Sequence, residues 1–149
     1  STEYKGLKIY GTPWTPLFPR VNPKTTASML DESKLPSKFK NIPDDLNILI
    51  CHGPPYGILD ESHYGAHCGS RALMTAIERT IPKYVIFGHI HEQGGKKLTL
   101  KNVTSQNGSQ ARDIHCLNVS YIDQNYRPWD HPIRRIEWIF PGDSRHFKM

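Results

Sequence analysis

The sequence predicts an α/β chain organised around one strand–helix–strand unit, with antiparallel strands after it. Three observations carry this. Two short apolar runs, residues 46–51 and 84–87, each stop on a histidine turn: His52-Gly53-Pro54-Pro55 and Gly88-His89-Ile90-His91. Between them Ala72, Leu73, Ala76, Ile77 and Ile81 recur at i, i+3/i+4 spacing, the stripe of an amphipathic helix. Such a crossover makes its two strands parallel and its connection right-handed, so both histidine-bearing ends reach the same sheet edge.

In chain order, residues 7–11 read as a short strand. The segment 11–19 holds three prolines, which fix φ and remove donors, so it is irregular. Its Trp14 and Phe18 pin the loop to the core or wall a ligand cleft. Residues 25–41 predict one or two short helices, interrupted at Pro36 and ended by Pro43. The run 46–51 is apolar on both alternating faces apart from Asn47, which predicts a strand covered on both sides. Residues 57–69 are loop. Ser70 is placed to cap the helix, Pro82 to stop it, and 84–87 is the second strand. Residues 97–101 alternate, Asn107-Gly108 signals a turn, and 114–119 and 133–140 read as strands of an antiparallel tail. Residues 102–112 read as a flexible loop.

At 149 residues the chain fits one domain with a real core. No apolar run approaches the roughly 20 residues of a membrane helix, so a membrane partner is not expected. Cys51, Cys68 and Cys116 are widely spaced, which argues against a disulfide framework and for a reducing, cytoplasmic setting. The net charge of +5 is modest, and Arg134, Arg135, Arg145 and Lys148 read as a solvated basic group. Too few aromatics interleave with it to expect nucleic acid as a partner. The glycosylation-type triplets at Asn102, Asn107 and Asn118 matter only in a secreted chain.

His52, His89 and His91 are the candidate metal ligands. Imidazole is a versatile neutral ligand, and ligand sites in open α/β sheets lie past the carboxyl ends of the strands. Positions i and i+2 of an extended segment point the same way, so one turn can present two imidazoles. His63 and His67 read first as solvated loop residues and secondly as cleft lining. A zinc site from His67-Cys68 and His115-Cys116 matches no short-spaced ligand pattern.

These motifs together resemble the C-terminal half of the calcineurin-like metallophosphoesterases, and most closely their small metallophosphoesterase-domain branch. The likeness runs through Gly11-Thr12-Pro13-Trp14, residues 48–55, 65–73 and 88–92, and Leu117-Asn118-Val119-Ser120. The resemblance implies an αββα sandwich of which residues 1–149 form the C-terminal portion. It implies two divalent ions (manganese, iron, zinc or magnesium), with His52 and His89 on one and His91 on the other. It also implies hydrolysis of a small phosphoester, most specifically a phosphodiester. The family's other ligands, in Asp-x-His, Gly-Asp and Gly-Asn-His motifs, should precede this region. None stands ahead of His52, and Gly142-Asp143 lies at the wrong end. The chain therefore holds no complete catalytic set. The N-terminal half of the domain, or a second chain, would complete the site and cover an otherwise open apolar edge and face.

Two other functions remain open on the sequence. One is a non-catalytic phosphoesterase-fold module that binds a partner or acts as a scaffold. The other is a single-metal structural or regulatory site built from the three histidines alone.

Overall fold

A computed structural model describes residues 1–17 and 28–128, except 107, 109 and 124. The strand expected at 133–140, the basic group from Arg134 to Lys148, Phe18 and Asn107 lie outside the described residues. Those described form strands β1 (Thr2–Tyr4), β2 (Leu7–Thr12), β3 (Thr15–Pro16), β4 (Met29–Leu30), β5 (Ile48–Cys51), β6 (Tyr84–Phe87), β7 (Lys97–Thr104) and β8 (Ala111–Asn118). Helices α1 (Leu35–Phe39) and α2 (Arg71–Thr80) complete the elements, with short 3-10 turns at Glu32–Lys34 and His91–Gln93.

One six-stranded mixed sheet runs β1-β2-β5-β6-β8-β7, so the fold is α/β. The four central strands are parallel, and β1 and β7 run antiparallel at the edges. The strand–helix–strand unit is β5–α2–β6, with Ile48, Leu49 and Ile50 facing Tyr84, Val85 and Ile86 in register. Ser70 caps α2 as expected: its side chain accepts from the Leu73 amide at 3.0 Å. Glu32, on a distant turn, adds its carboxylate at the same terminus, accepting from Ala72 N at 2.8 Å and from Ser70 Oγ at 3.0 Å. Negative charge there complements the helix dipole. The helix ends at Ile81, in left-handed backbone (φ +35°), directly before Pro82.

The register sets the core. Tyr10, Leu49, Val85, Cys116 and Leu98 form one row across the sheet, on the face that α1 and α2 cover. Leu35 and Phe39 of α1 and Leu73, Ala76 and Ile77 of α2 pack there with Leu49, Val85, Phe87, Ile114 and Cys116. Ile9, Ile48, Ile50, Ile86 and Leu117 lie on the opposite face. On that side Ile50 is 45% exposed and Val119 43%. The expected two-sided burial of the 46–51 strand is therefore corrected among the described residues: Leu49 and Cys51 are buried, but Ile50 is not. An apolar residue at both alternating positions records what the strand could bury, not what covers it.

Three further expectations change. Pro36 does not interrupt a helix; it sits in the first turn of α1, where its missing N–H has no intrahelical partner to lose. Residues 102–112 are not one flexible loop: β7 extends to Thr104 and β8 starts at Ala111, with a register shift between Leu100 and Val103. Asp113 ties that irregularity, accepting from Asn102 N at 3.0 Å and from Lys101 Nζ at 2.6 Å. The tail is also not wholly antiparallel, because β8 pairs antiparallel with β7 but parallel with β6. At the other edge, Lys5 and Gly6, both at positive φ, turn β1 back onto β2.

Candidate functional site

The parallel order brings two of the predicted histidines together. Gly88 N donates to His52 O at 3.1 Å, continuing the β5–β6 ladder one step past the strands. The His52 and His89 rings lie there with centroids 4.7 Å apart. His91 belongs to the same electrostatic group: with His52 it holds the His89 pKa down, behind the larger effect of burial. His89 is pushed to about 4 and is therefore a neutral imidazole at pH 7.

The turn differs from the extended segment expected. His89 has φ +72°, and Ile90 N donates to Gly88 O at 2.9 Å across it, which closes a γ-turn. A γ-turn of this hand is rare and strained, and strain of this kind concentrates at functional sites. His91 then begins a 3-10 turn. The two imidazoles are presented by a tight reversal, not by the i, i+2 rule of a strand. Gly88 leaves room for this: a Cβ there would stand 3.3 Å from Ser120 Oγ.

Side chains that the sequence reading passed over hold the turn. Asn118, fully buried, donates from Nδ2 to Ile90 O at 3.0 Å and accepts from Ser120 N at 3.0 Å. Its amide also reaches Leu59 O at 3.4 Å, linking the loop after His52 to the loop after His89. His91 Nδ1 lies 3.1 Å from Asp123 O. A carbonyl can only accept, so Nδ1 is the donor of this pair and Nε2 is the nitrogen left to face a ligand. An outer hydrogen bond that sets the tautomer is the usual companion of a ligating histidine. The signal available beforehand was the strand-end Asn118 itself, since a polar residue closing an apolar run needs a partner.

Two buried hydroxyls behind the turns, Thr15 Oγ1 and Ser120 Oγ, have no hydrogen-bond partner among the described residues. Thr15 Oγ1 occupies the space a Cβ on Gly53 would need, at 2.3 Å, and so stands against the His52 turn. A neutral His89 and an oriented His91 fit a borderline transition metal or zinc. Among the described residues no group of three or more His, Cys, Asp or Glu side chains is arranged to hold an ion, and that includes the three histidines as well as any carboxylate beside them.

The remaining candidates lie elsewhere. Asp113-Ile114-His115 has Asp-x-His spacing, but His115 pairs in register with Tyr84, at the far end of β6 from His89. Its Nδ1 meets Thr99 Oγ1 at 3.1 Å. Cys116 is buried on the core face with its thiol pushed up to about 12 by burial, while His115 lies on the opposite face. A shared zinc site with His67-Cys68 is thereby ruled out. All three cysteines are free thiols. The buried Asn118 amide is occupied by backbone contacts, which removes it as a glycan acceptor in the folded chain. Trp14 packs on the core beneath Lys38, whose Nζ lies 4.4 Å from the ring centroid, so this part of the loop is pinned as expected. No helix among the described residues is long and apolar enough to cross a membrane.

No family model matches the chain. It is 39% identical over 108 residues to a UPF0046 protein of Caenorhabditis elegans, a match covering 70% of this chain and 34% of that protein. It is 32% identical over 133 residues to metallophosphoesterase domain-containing protein 1 of Homo sapiens, covering 87% of this chain and 35% of that protein. It is also 32% identical over 150 positions to a protein of Emericella nidulans named probable rhamnogalacturonate lyase C, but that match takes only 10% of the lyase-named protein. The chain spans about a third of the length of the first curated relatives it matches. Similarity over most of the chain thus points to a metallophosphoesterase-related sequence.

Proposed function

We propose that this chain supplies part of a dinuclear metal centre in a phosphohydrolase acting on phosphodiesters. In this reading the fold is the C-terminal half of an αββα sandwich. His52 and His89 hold one divalent ion (manganese, iron, zinc or magnesium) and His91 holds the second. The observation that carries it is the 4.7 Å approach of the His52 and His89 rings at the ends of adjacent parallel strands. The hydrogen bond from His91 to Asp123 O and the likeness to metallophosphoesterase domain-containing protein 1 support it.

Bound ions would supply the positive charge that develops as a need at the reacting phosphate. The chain's own residues supply imidazole ligands and a strained turn that sets the direction of His89. The carboxylates come from the N-terminal half of the same domain or from a second chain, and the partner on the substrate side is a small phosphoester.

A second reading, a non-catalytic binding or scaffold module, is favoured by Ile50 and Val119, exposed among the described residues, and by the lack of any ion-holding group of three His, Cys, Asp or Glu side chains among those residues. Metal analysis after dialysis separates the readings. One weakly held ion, or none, is expected for this chain alone. A full pair of ions is expected once the missing half is supplied, together with turnover of an aryl phosphodiester. His52→Ala and His91→Ala should each remove metal and activity from the completed protein. Undiminished turnover by either variant at normal metal content would end the hydrolase reading.

A further inference from the structure

Tyr126 meets one of the candidate metal ligands directly. Its ring and that of His91 lie edge to face, with centroids 5.6 Å apart and planes at 89°. Burial does not account for the contact, since Tyr126 is 77% exposed and a face of its phenol lies bare. Nor does the backbone favour it. Tyr126 has φ +60°, left-handed and an outlier for a bulky side chain. The loop enforces that conformation through Asp123. The Asp123 carboxylate accepts from Asn125 N at 2.8 Å and from Arg127 N at 2.9 Å, and Asp123 N donates to Arg127 O at 2.7 Å. Asp123 O accepts twice, from Tyr126 N at 3.0 Å and from His91 Nδ1 at 3.1 Å. One carbonyl therefore ties both residues together.

Backbone outliers persist where function holds them, and this one gains no burial in return. A bare aromatic face is a stacking surface. A planar ring laid offset on Tyr126 would sit roughly 4.5–7 Å from its centroid, beside His91. An aliphatic group of the same reach has no ring to match it. The turn underneath is braced as well. Glu92 accepts from His63 N and Gln93 donates to Glu61 O, each at 2.9 Å. The loop so held is itself closed by His67, whose Nδ1 donates to the buried Asp60 at 2.8 Å.

We propose that Tyr126 is a specificity-determining residue of the site, selecting anionic esters whose organic group is a planar ring. The ring lies on Tyr126, and the anionic end is turned to His91, whose Nε2 is left to face a ligand. This rests on the phosphohydrolase reading above and adds a reason for one ester to be preferred over another. Tyr126 makes and breaks no bond. Its contribution is to ground-state binding, so it acts on KM and on inhibitor affinity rather than on kcat.

The test is NMR of the 149-residue chain with labelled tyrosine and histidine rings and zinc present, titrated separately with phenylphosphonate and methylphosphonate. Phenylphosphonate should move the Tyr126 and His91 signals together. It should bind about tenfold more tightly than methylphosphonate, which should move His91 alone. Tyr4 is the internal reference. It is 61% exposed, but beside Leu7, at the opposite end of the sheet from the histidine turns. A stationary Tyr126, or one that moves no more than Tyr4, overturns the proposal. Tyr126→Phe should keep the preference. Tyr126→Gly should erase it without lowering the melting temperature, because glycine takes a φ of +60° freely. A preference that survives Tyr126→Gly overturns the proposal too. So does a preference lost together with thermal stability, which would make Tyr126 a packing residue. Zinc-dependent shifts at His52, His89 and His91 judge the metal reading in the same spectra. If they are absent while Tyr126 still selects the ring, the metal reading falls alone.

Discussion

His89 concentrates what is unusual about single residues in this chain. Its φ of +72° is a conformation that side chains other than glycine rarely take. Its ring is partly buried beside two other imidazoles, and burial first, then His52 and His91, pushes its pKa down to about 4. An unfolded histidine titrates near ~6.5. Between those values the unfolded chain binds the proton and the folded chain does not, so stability must fall as pH drops from ~6.5 towards 4 and level off below. Thermal melting of metal-free protein across that window should show the slope, and His89→Gln should flatten it. A wild-type melting temperature unchanged from pH 7 to pH 4.5 would mean that His89 is not held neutral by its surroundings. The position of this histidine was legible in Gly88-His89-Ile90-His91. Its γ-turn was not, because alternation rules describe strands and say nothing about a chain that reverses within three residues.

At the scale of elements, the strand ends and their turns depend on one amide. Asn118 closes β8, is fully buried, and reaches Leu59 O and Ile90 O while accepting from Ser120 N. Removing it strands two carbonyls and an amide in the interior, at roughly 1–3 kcal/mol for the unsatisfied groups. Asn118→Ala should lower the urea midpoint by an amount within that range. It should also weaken zinc binding, because the His89–His91 turn loses the contact that fixes its backbone. Full zinc affinity in a destabilised Asn118→Ala protein would show that the turn holds its shape without help. The elements around this joint were legible to different degrees. β5, α2, its Ser70 cap and β6 were plain, because local periodicity and capping chemistry act within a few residues. Glu32 at the α2 terminus and Asp60 beneath His67 were not, since each meets its partner only after folding. The β7–β8 hairpin was misread as loop over 102–112 because a bulge breaks the alternation midway, and Asp113 repairs it from the opposite strand.

Among the described residues the sheet is covered unevenly. It has one face packed by α1 and α2 and another on which Ile50 and Val119 stay open among those residues. The sequence carried the composition of both faces but not their cover, since an apolar strand reads alike under a helix, a second sheet or water. Neighbouring residues of β5 make the asymmetry measurable. Leu49 is 0% exposed, and Leu49→Ala should cost about 2–5 kcal/mol through lost burial and a cavity. Ile50 is 45% exposed on the other face, and Ile50→Lys should cost under ~1 kcal/mol, since a half-exposed site lets the ammonium reach water. Urea unfolding of the two variants reads both numbers. If Ile50→Lys proves as damaging as Leu49→Ala, then residues outside those described already cover that face in this chain. The scaffold reading would then lose its surface, while the histidine corner would keep its own.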